Sequence, residues 1–161
     1  MSFLSANPAV KPQHLASVKA VTGGAAPFGP ALIEKFMEKA SPNVIKFREG
    51  FGMTESSPVS HVQPDEGAVL GGCGHPIPNT IAKVIDLDTG RALGPNEDGE
   101  LCVAGPQVMK GYYGNEKATK STIVDGWLLT GDIARYDENG QFTIVDRLKE
   151  LIKVKGLQVK S

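Results

Sequence analysis

Hydrophobic and polar residues are arranged in two different ways along this chain, and the first third favours a β-α-β unit. Residues 17–22 form a short β-branched run that predicts a strand, and residues 23–29 form a glycine-rich turn. Apolar side chains then repeat on one face of Pro30–Ala40, which predicts a helix with proline at its first position. Residues 44–48 predict a second, buried strand. Two strands joined by a crossover helix indicate a parallel sheet that binds ligands at its strand ends.

The rest of the chain favours a small antiparallel sheet or barrel. Strands are predicted at residues 81–86 and at Gly99–Ala104, where polar and apolar residues alternate. A short helix with an asparagine cap is predicted at residues 115–120. Residues 132–136 and 141–145 flank an Asp-Glu-Asn-Gly turn and predict a hairpin.

Composition and charge restrict what such a fold can do. The chain has 161 residues, of which 40% are hydrophobic, and its 17 basic and 18 acidic residues give a net charge of −1. This balance disfavours binding to nucleic acid or to an anionic membrane surface, and no apolar run predicts a transmembrane segment. The 19 glycines and 11 prolines exclude an all-helical bundle. Cys73 and Cys102 lack metal-ligand spacing and are expected to be small buried hydrophobic residues.

The segment Glu-Gly-Phe-Gly-Met-Thr-Glu at residues 49–55 is the first candidate for binding chemistry. Two glycines let a ligand approach the backbone, and the ring of Phe51 between them offers a flat face to a purine. Thr54 can donate a hydrogen bond to a phosphate, and Glu55 is a hard oxygen ligand of the kind that Mg²⁺ takes beside nucleotide phosphates. The spacing also fits a turn at a strand end in which Thr54 and Glu55 cap the next segment.

Two further segments are candidates for contact with the same ligand. The Gly-Gly-Ala-Ala-Pro turn at residues 23–27 either lines a ligand with small residues or is an ordinary turn after a strand. Asp132 follows a glycine, and one carboxylate can accept hydrogen bonds from both hydroxyls of a ribose. The guanidinium of Arg147 can reach the same ribose or a phosphate. The alternative is a carboxylate in a surface turn and an exposed ion pair.

The remaining lysines and histidines have simpler interpretations. Lys149, Lys153, Lys155 and Lys160 cluster after the hairpin and fit a solvated face, because no aromatic residues are interleaved for nucleic acid. The three histidines lack metal-ligand spacing and are expected at the surface or with satisfied hydrogen bonds.

Five motifs in order resemble the adenylate-forming enzymes, which include acyl-CoA synthetases, 4-coumarate–CoA ligases and beetle luciferases. The motifs lie at residues 23–27, 51–55, 99–105, 126–134 and 146–156. Family members make an acyl-adenylate and pyrophosphate from ATP and a carboxylate, and CoA or, in luciferases, oxygen then captures the adenylate. The resemblance implies an α/β plus β fold, the C-terminal part of the large N-terminal domain of such an enzyme, ending at the hinge.

The resemblance also implies a role for each candidate residue. Phe51, where the family often has tyrosine, would stack on adenine, and Thr54 would hold the α-phosphate. Glu55 would ligate Mg²⁺, and Asp132 would bind the ribose hydroxyls with Arg147 nearby. The residues expected in contact with the nucleotide or beside it are Gly24, Ala25, Ala26, Gly50, Gly52 and Met53.

The end of the chain would serve the second half-reaction. Lys149 matches the hinge about which a small C-terminal domain rotates. Lys153 matches a lysine that supports the second step, so that Thr54, Glu55 and Lys153 are the expected catalytic residues. Gly156 would lie near the tunnel for the pantetheine of CoA, and Val59 would shape the acyl pocket.

We therefore expect a segment of a larger carboxylate–CoA ligase. Residues 1–75 would be part of the parallel-sheet subdomain, 76–146 the antiparallel barrel, and 147–161 the hinge and the start of the C-terminal domain. The family's phosphate-binding loop and adenylation lysine lack counterparts in the chain, so by itself it is expected to make no acyl-adenylate at a useful rate. The expected cofactors are ATP, Mg²⁺ and CoA, and the expected substrate is an aromatic or fatty carboxylic acid.

Two other functions fit the same motifs. One is a luciferase-like oxygenase, and the other is a non-catalytic fragment that binds a nucleotide or a partner. The sequence leaves the location of a full-length parent open between the cytoplasm and the peroxisome, since Val-Lys-Ser is not a Ser-Lys-Leu address.

Overall fold

The computed structural model describes residues 2–24, 28–40 and 46–148, together with the backbone of two strands at residues 152–154 and 157–159. Three α-helices lie in these residues: α1 (Ser2–Ala6), α2 (Pro30–Ala40) and α3 (Glu116–Thr122). Short 3-10 helices lie at Pro12–Leu15 and Thr54–Ser56. The strands are β1 (Ala20–Gly23), β2 (Lys46–Gly52), β3 (Val59–Val62), β4 (His75–Pro76), β5 (Ile81–Ile85), β6 (Gly99–Ala104), β7 (Ile123–Val124), β8 (Trp127–Tyr136), β9 (Phe142–Arg147), β10 (Ile152–Val154) and β11 (Leu157–Val159).

The predicted β-α-β unit is confirmed. β1 pairs in parallel with β2, with Val21 opposite Phe47, and α2 has the predicted bounds. The apolar face of α2 places Phe36 and Ala40 in a buried cluster with Leu15. The sheet continues through β3 and β4, which are antiparallel, so its order is β1-β2-β3-β4.

The second strand differs from its prediction. β2 reaches Gly52, so Phe51 lies inside a strand, because pairing with β3 places Phe51 opposite His61. Residues 44 and 45 lie outside the described residues. Glu49 is the one buried residue of β2, so the prediction of a buried strand is wrong. The reason is that α2 packs against α1 and the Pro12–Leu15 helix and leaves β2 partly uncovered.

The predicted antiparallel sheet is also confirmed. Its order is β5-β6-β8-β7, and β9 pairs with residues 132–136 of β8, on the same side as β7. β6 has the predicted bounds, and Leu101, Cys102 and Val103 are at most 1% exposed. α3 follows a cap in which the Asn115 side chain accepts a hydrogen bond from the Ala118 amide at 3.0 Å.

The two sheets are joined at β9. Phe142 donates its amide hydrogen to the Gly74 carbonyl at 2.8 Å and accepts a hydrogen bond from the Cys73 amide at 2.8 Å. The ring of Phe142 lies 4.7 Å from the ring of His61 in β3. Among the described residues, no helix is long and apolar enough to cross a membrane. The boundaries predicted at residues 75 and 146 stay predictions, and β4 spans the first of them.

Candidate functional site

A cavity of about 510 Å³ lies between the two sheets. It is bounded by residues at the carboxyl ends of β1 and β2 on one side and by β8 and β9 on the other, which is where ligands bind to parallel sheets. Its size is within the usual range for small-molecule sites. The lining residues are Gly24, Glu49, Gly50, Phe51, Gly52, Gly71, Gly72, Cys73, Asp132, Ile144, Val145, Asp146 and Arg147.

The aromatic wall of this cavity comes from β2. The Phe51 ring is partly buried and lies 6.1 Å from the His61 ring, edge to face. The flanking glycines have a packing role that the sequence did not indicate. A Cβ atom at Gly52 would collide with the Pro58 carbonyl oxygen, and one at Gly50 would lie 3.0 Å from the His61 carbonyl oxygen. Gly52 is therefore needed for the close approach of the chain at Pro58, and a side chain at Gly50 would require β3 to shift by a few tenths of an ångström.

The opposite wall contains a buried acid and its ion-pair partner. Asp132 is 5% exposed and lies within β8, so the interpretation as a carboxylate in a surface turn is wrong. Arg147 is opposite Asp132 in the β8–β9 register, and its Nε lies 3.3 Å from Oδ1 of Asp132. The predicted proximity of the acid and the guanidinium is confirmed.

A bulge in β8 brings Asp132 to the cavity. Three residues, 130–132, lie opposite Leu101, and Gly131 has a φ of +73°, which glycine adopts without strain. Oε1 of Glu100 accepts a hydrogen bond from the Gly131 amide at 3.0 Å, and burial raises the pKa of Glu100. The Thr130 hydroxyl donates to the Leu101 carbonyl and accepts from the Asp132 amide at 3.1 Å. These contacts fix the backbone of the acid.

A second buried carboxylate holds two loops at the cavity. Oε1 of Glu49 accepts a hydrogen bond from the Phe28 amide, and Oε2 accepts one from the Gly71 amide, each at 3.3 Å. The Gln63 side chain fixes the backbone of Glu49 and donates to the Gly72 carbonyl at 2.8 Å. The sequence assigned no role to Glu49 or Gln63, because their partners are distant along the chain.

Thr54 and Glu55 do not line the cavity. They belong to the 3-10 helix that follows β2, and Ser56 makes the cap there by accepting a hydrogen bond from the Met53 amide at 3.1 Å. The interpretation in which Thr54 and Glu55 cap the next segment is wrong, because neither side chain accepts a hydrogen bond from a backbone amide of the described residues. Oε1 of Glu55 instead accepts a hydrogen bond from the Tyr112 hydroxyl at 2.7 Å. This hydrogen bond raises the pKa of Tyr112.

Comparison with known proteins decides the family. The AMP-binding enzyme family matches residues 2–113. The chain belongs to this family. It is 44% identical to 4-coumarate–CoA ligase 3 of Oryza sativa subsp. japonica over 162 aligned residues, which cover 97% of this chain and 29% of that protein. It is 43% identical to luciferin 4-monooxygenase of Photuris pensylvanica over 160 residues, which cover 99% of this chain and 29% of that protein.

Solved structures confirm the predicted fold class. The chain superposes on ATP-bound MatB from Rhodopseudomonas palustris with a TM-score of 0.87 and 30% identity, over 98% of this chain and 31% of MatB. The chain thus spans less than a third of the length of these AMP-binding relatives.

The other residues predicted for an AMP-binding enzyme have mixed outcomes. Gly24 lines the cavity with Phe51, Asp132 and Arg147. Four predicted residues lie outside the described residues, and for Lys153 in β10 the backbone alone is described; the four are Ala25, Ala26, Lys149 and Gly156. Val59, predicted to shape the acyl pocket, is 42% exposed in β3.

Burial separates the two cysteines and His61 from the other two histidines. Both cysteines are buried, as predicted, and burial raises the pKa of the Cys73 thiol at the cavity to about 12, so it stays protonated. His61 is fully buried and its Nδ1 lies 3.0 Å from the Ser60 hydroxyl oxygen. Its Nε2 has no hydrogen-bond partner among the described residues, so the expectation of a satisfied histidine is wrong there. His14 is exposed and His75 is half-buried.

Proposed function

We propose that the chain is the AMP-binding segment of an ATP-dependent carboxylate–CoA ligase. Such an enzyme joins a carboxylate oxygen to the α-phosphorus of ATP and releases pyrophosphate. The thiol of CoA then attacks the acyl carbon, and AMP leaves. The observation that supports this function is that Phe51, Asp132 and Arg147, which lie far apart in the sequence, line one cavity of about 510 Å³.

Each wall of the cavity suits one part of a nucleoside. The Phe51 ring would stack on adenine through its flat face. Its edge-to-face contact with the His61 ring is compatible with this stacking. The Asp132 carboxylate would accept hydrogen bonds from the two ribose hydroxyls, and such charge-assisted bonds are stronger than neutral ones. The Arg147 side chain is 68% exposed, so its guanidinium has freedom to contact the ribose or a phosphate while Asp132 remains within 3.3 Å.

The phosphates would lie toward Thr54 and Glu55. Thr54 would donate its hydroxyl hydrogen to the α-phosphate. A Glu55 carboxylate beside a phosphate is unfavourable unless a cation lies between them, and the second oxygen of Glu55 accepts no hydrogen bond from the described residues. Magnesium bound there would neutralise phosphate charge. In the described part of the chain no three acidic, histidine or cysteine side chains form a metal site, so phosphate and water would supply the other ligands.

The second half-reaction rests on the resemblance alone. Lys149 would be the hinge, Lys153 would support thioester formation, and Gly156 would lie near the CoA tunnel. The substrate would be an aromatic or fatty carboxylic acid, and the domain boundaries at residues 75 and 146 belong to the same proposal.

Isothermal titration of the chain with AMP tests the nucleotide site. Asp132→Asn should weaken AMP binding by about 10–100-fold, because it removes charge-assisted hydrogen bonds to the ribose. A matched control is Asp98→Asn. Asp98, like Asp132, pairs with an arginine, since Nε of Arg135 lies 2.8 Å from its Oδ1, but Asp98 does not line the cavity. This control should bind AMP like the unchanged chain.

A nucleotide lacking one hydroxyl sharpens the test. The unchanged chain should bind 2′-deoxy-AMP more weakly than AMP, and Asp132→Asn should discriminate less between the two nucleotides. Equal AMP affinity in the unchanged chain and in Asp132→Asn would contradict the proposal, as would a chain that binds no AMP.

The similarity to a luciferin 4-monooxygenase supports a second function, oxidation of an acyl-adenylate by oxygen. The two functions differ in their product. In the enzyme that contains this segment, CoA thioester formed from an aromatic or fatty acid supports the ligase, and oxygen-dependent light supports the oxygenase.

A further inference from the structure

We infer that Tyr112 is a positioning residue that orients the Glu55 carboxylate for a divalent cation. The inference rests on the proposed function, in which Glu55 ligates Mg²⁺. It adds a residue outside the five motifs and outside the cavity, and it assigns a task to the segment between β6 and α3.

Two contacts attach Glu55 to this segment. The Tyr112 hydroxyl donates a hydrogen bond to Oε1 of Glu55 at 2.7 Å, and the Met109 amide donates to the Glu55 carbonyl at 2.8 Å. The side chain and the backbone of Glu55 are therefore both held by residues that lie more than fifty positions further along the chain. Oε2 accepts no hydrogen bond from the described residues, so one oxygen is held and the other is available to a cation.

Tyr112 is itself fixed by the capped helix α3. Its amide donates a hydrogen bond to the Thr119 hydroxyl at 2.9 Å, and its carbonyl accepts one from the Asn115 amide at 3.1 Å. The Thr119 hydroxyl donates in turn to the Asn115 carbonyl at 3.0 Å. Tyr112 is 37% exposed, and its backbone is held on both sides at a position from which the hydroxyl reaches Glu55.

A phenol is well suited to this task. It satisfies one carboxylate oxygen with a neutral donor, so it adds no positive charge that would compete with a cation. It also restricts rotation of the Glu55 side chain before the cation binds. Removing such an outer contact typically weakens metal binding by about 10–100-fold.

The adjacent tyrosine provides a matched control. Tyr113 is fully exposed, so Tyr113→Phe removes a phenol hydroxyl one residue away and leaves the contact between Tyr112 and Glu55 intact. The test compares Tyr112→Phe, Tyr113→Phe and Glu55→Gln with the unchanged full chain. Its readouts are the dissociation constant of ATP with and without saturating Mg²⁺ and that of AMP without metal.

The expected result concerns the gain in ATP affinity that Mg²⁺ produces. Tyr112→Phe should reduce this gain about tenfold or more, Tyr113→Phe should leave it unchanged, and Glu55→Gln should abolish it. AMP affinity without metal should be the same in Tyr112→Phe, Tyr113→Phe and the unchanged chain, whereas Glu55→Gln removes a negative charge beside the phosphate and should not weaken it. If Tyr112→Phe weakened metal-free AMP binding by as much as it reduced the Mg²⁺-dependent gain, the substitution would have caused a structural defect and the inference would be overturned.

The two remaining outcomes separate the inference from the proposed function. If Glu55→Gln loses the gain while Tyr112→Phe keeps it, the inference is wrong and the metal role of Glu55 stands. If Mg²⁺ produces no gain in the unchanged chain, the metal assignment fails and the inference fails with it.

Discussion

The α/β region (residues 2–24, 28–40 and 46–52) and the antiparallel sheet (β5–β9) differ in how deeply they bury apolar residues. The buried cluster of the α/β region consists of Leu15, Phe36 and Ala40. In the antiparallel sheet, three consecutive side chains of β6 are at most 1% exposed. The neighbouring strands β5 and β8 contribute Val84 and Leu128, which are both fully buried. Since burial of apolar area is the main source of stability, the antiparallel sheet should resist unfolding more than the α/β region does.

The candidate site draws on both regions. Phe51 comes from the α/β region, and Asp132 and Arg147 come from the antiparallel sheet. The antiparallel sheet thus holds the charged pair in register, and Phe51, although it lies in the α/β region, packs against the buried cluster of that sheet. Because ligand binding stabilises whatever it contacts, we expect a bound nucleotide to order the α/β region more than the sheet.

The largest expected effect is on stability, from one leucine in each region. Leu101→Ala should lower the free energy of unfolding by about 4 kcal/mol, because Leu101 is fully enclosed, and Leu15→Ala, at 7% exposure on a small cluster, by about 2 kcal/mol. Urea unfolding followed by Trp127 fluorescence reports the sheet, since the chain has a single tryptophan and it lies in β8. Far-ultraviolet circular dichroism includes the signal of α2.

Two probes also show whether the regions unfold together. If they are independent, Leu15→Ala shifts the circular dichroism transition and leaves the fluorescence transition in place. Equal losses of stability from the two substitutions would contradict the comparison, because the regions would then be packed equally well.

The next effect concerns the contact between the regions at His61. Its ring lies 6.1 Å from the Phe51 ring of the α/β region and 4.7 Å from the Phe142 ring of the sheet. Burial lowers the pKa of His61 to about 4, with a smaller contribution from His75. The unfolded chain binds a proton at His61 below pH 6.5, and the folded chain does not until about pH 4. Stability should therefore fall by about 3 kcal/mol as the pH decreases from 6.5 to 4.

A substitution isolates this histidine from other groups that titrate. His61→Phe should flatten the dependence of stability on pH between 6.5 and 4, measured by urea unfolding at several pH values. His14→Gln changes an exposed histidine and should leave the dependence unchanged. A His61→Phe profile as steep as that of the unchanged chain would show that His61 is not the group responsible.

The elements that the sequence predicted are those with long local patterns. α2 and β6 have the predicted bounds because each shows a full period of apolar residues over its whole length. β3, β4 and β7 were missed, since two to four residues give no period. The start of β8 was missed because Thr-Gly-Asp at residues 130–132 is typical of a turn, and the bulge that keeps it in the sheet depends on Glu100.

The same distinction applies to the candidate site. Phe51, Asp132 and Arg147 were predicted because their chemistry suits a nucleotide, and local motifs surround each of them. Glu49 and Tyr112 were not predicted, because what they do depends on Gly71 and Glu55, which lie far from them in the sequence. Contacts between residues that are distant along the chain produce no periodic pattern or fixed spacing in the sequence, so the sequence alone cannot predict them.

The smallest expected effect is at the surface of the sheet. Nζ of Lys83 on β5 lies 4.2 Å from the centre of the Trp127 ring on β8, across the intervening strand β6. Lys83→Gln should cost about 0.5–1 kcal/mol of unfolding free energy, the usual strength of an exposed cation–π contact. Lys35→Gln, on the exposed face of α2, is the control and should cost less. If Lys83→Gln lowered the free energy of unfolding as much as Leu15→Ala does, surface contacts rather than buried apolar side chains would account for the stability of the antiparallel sheet.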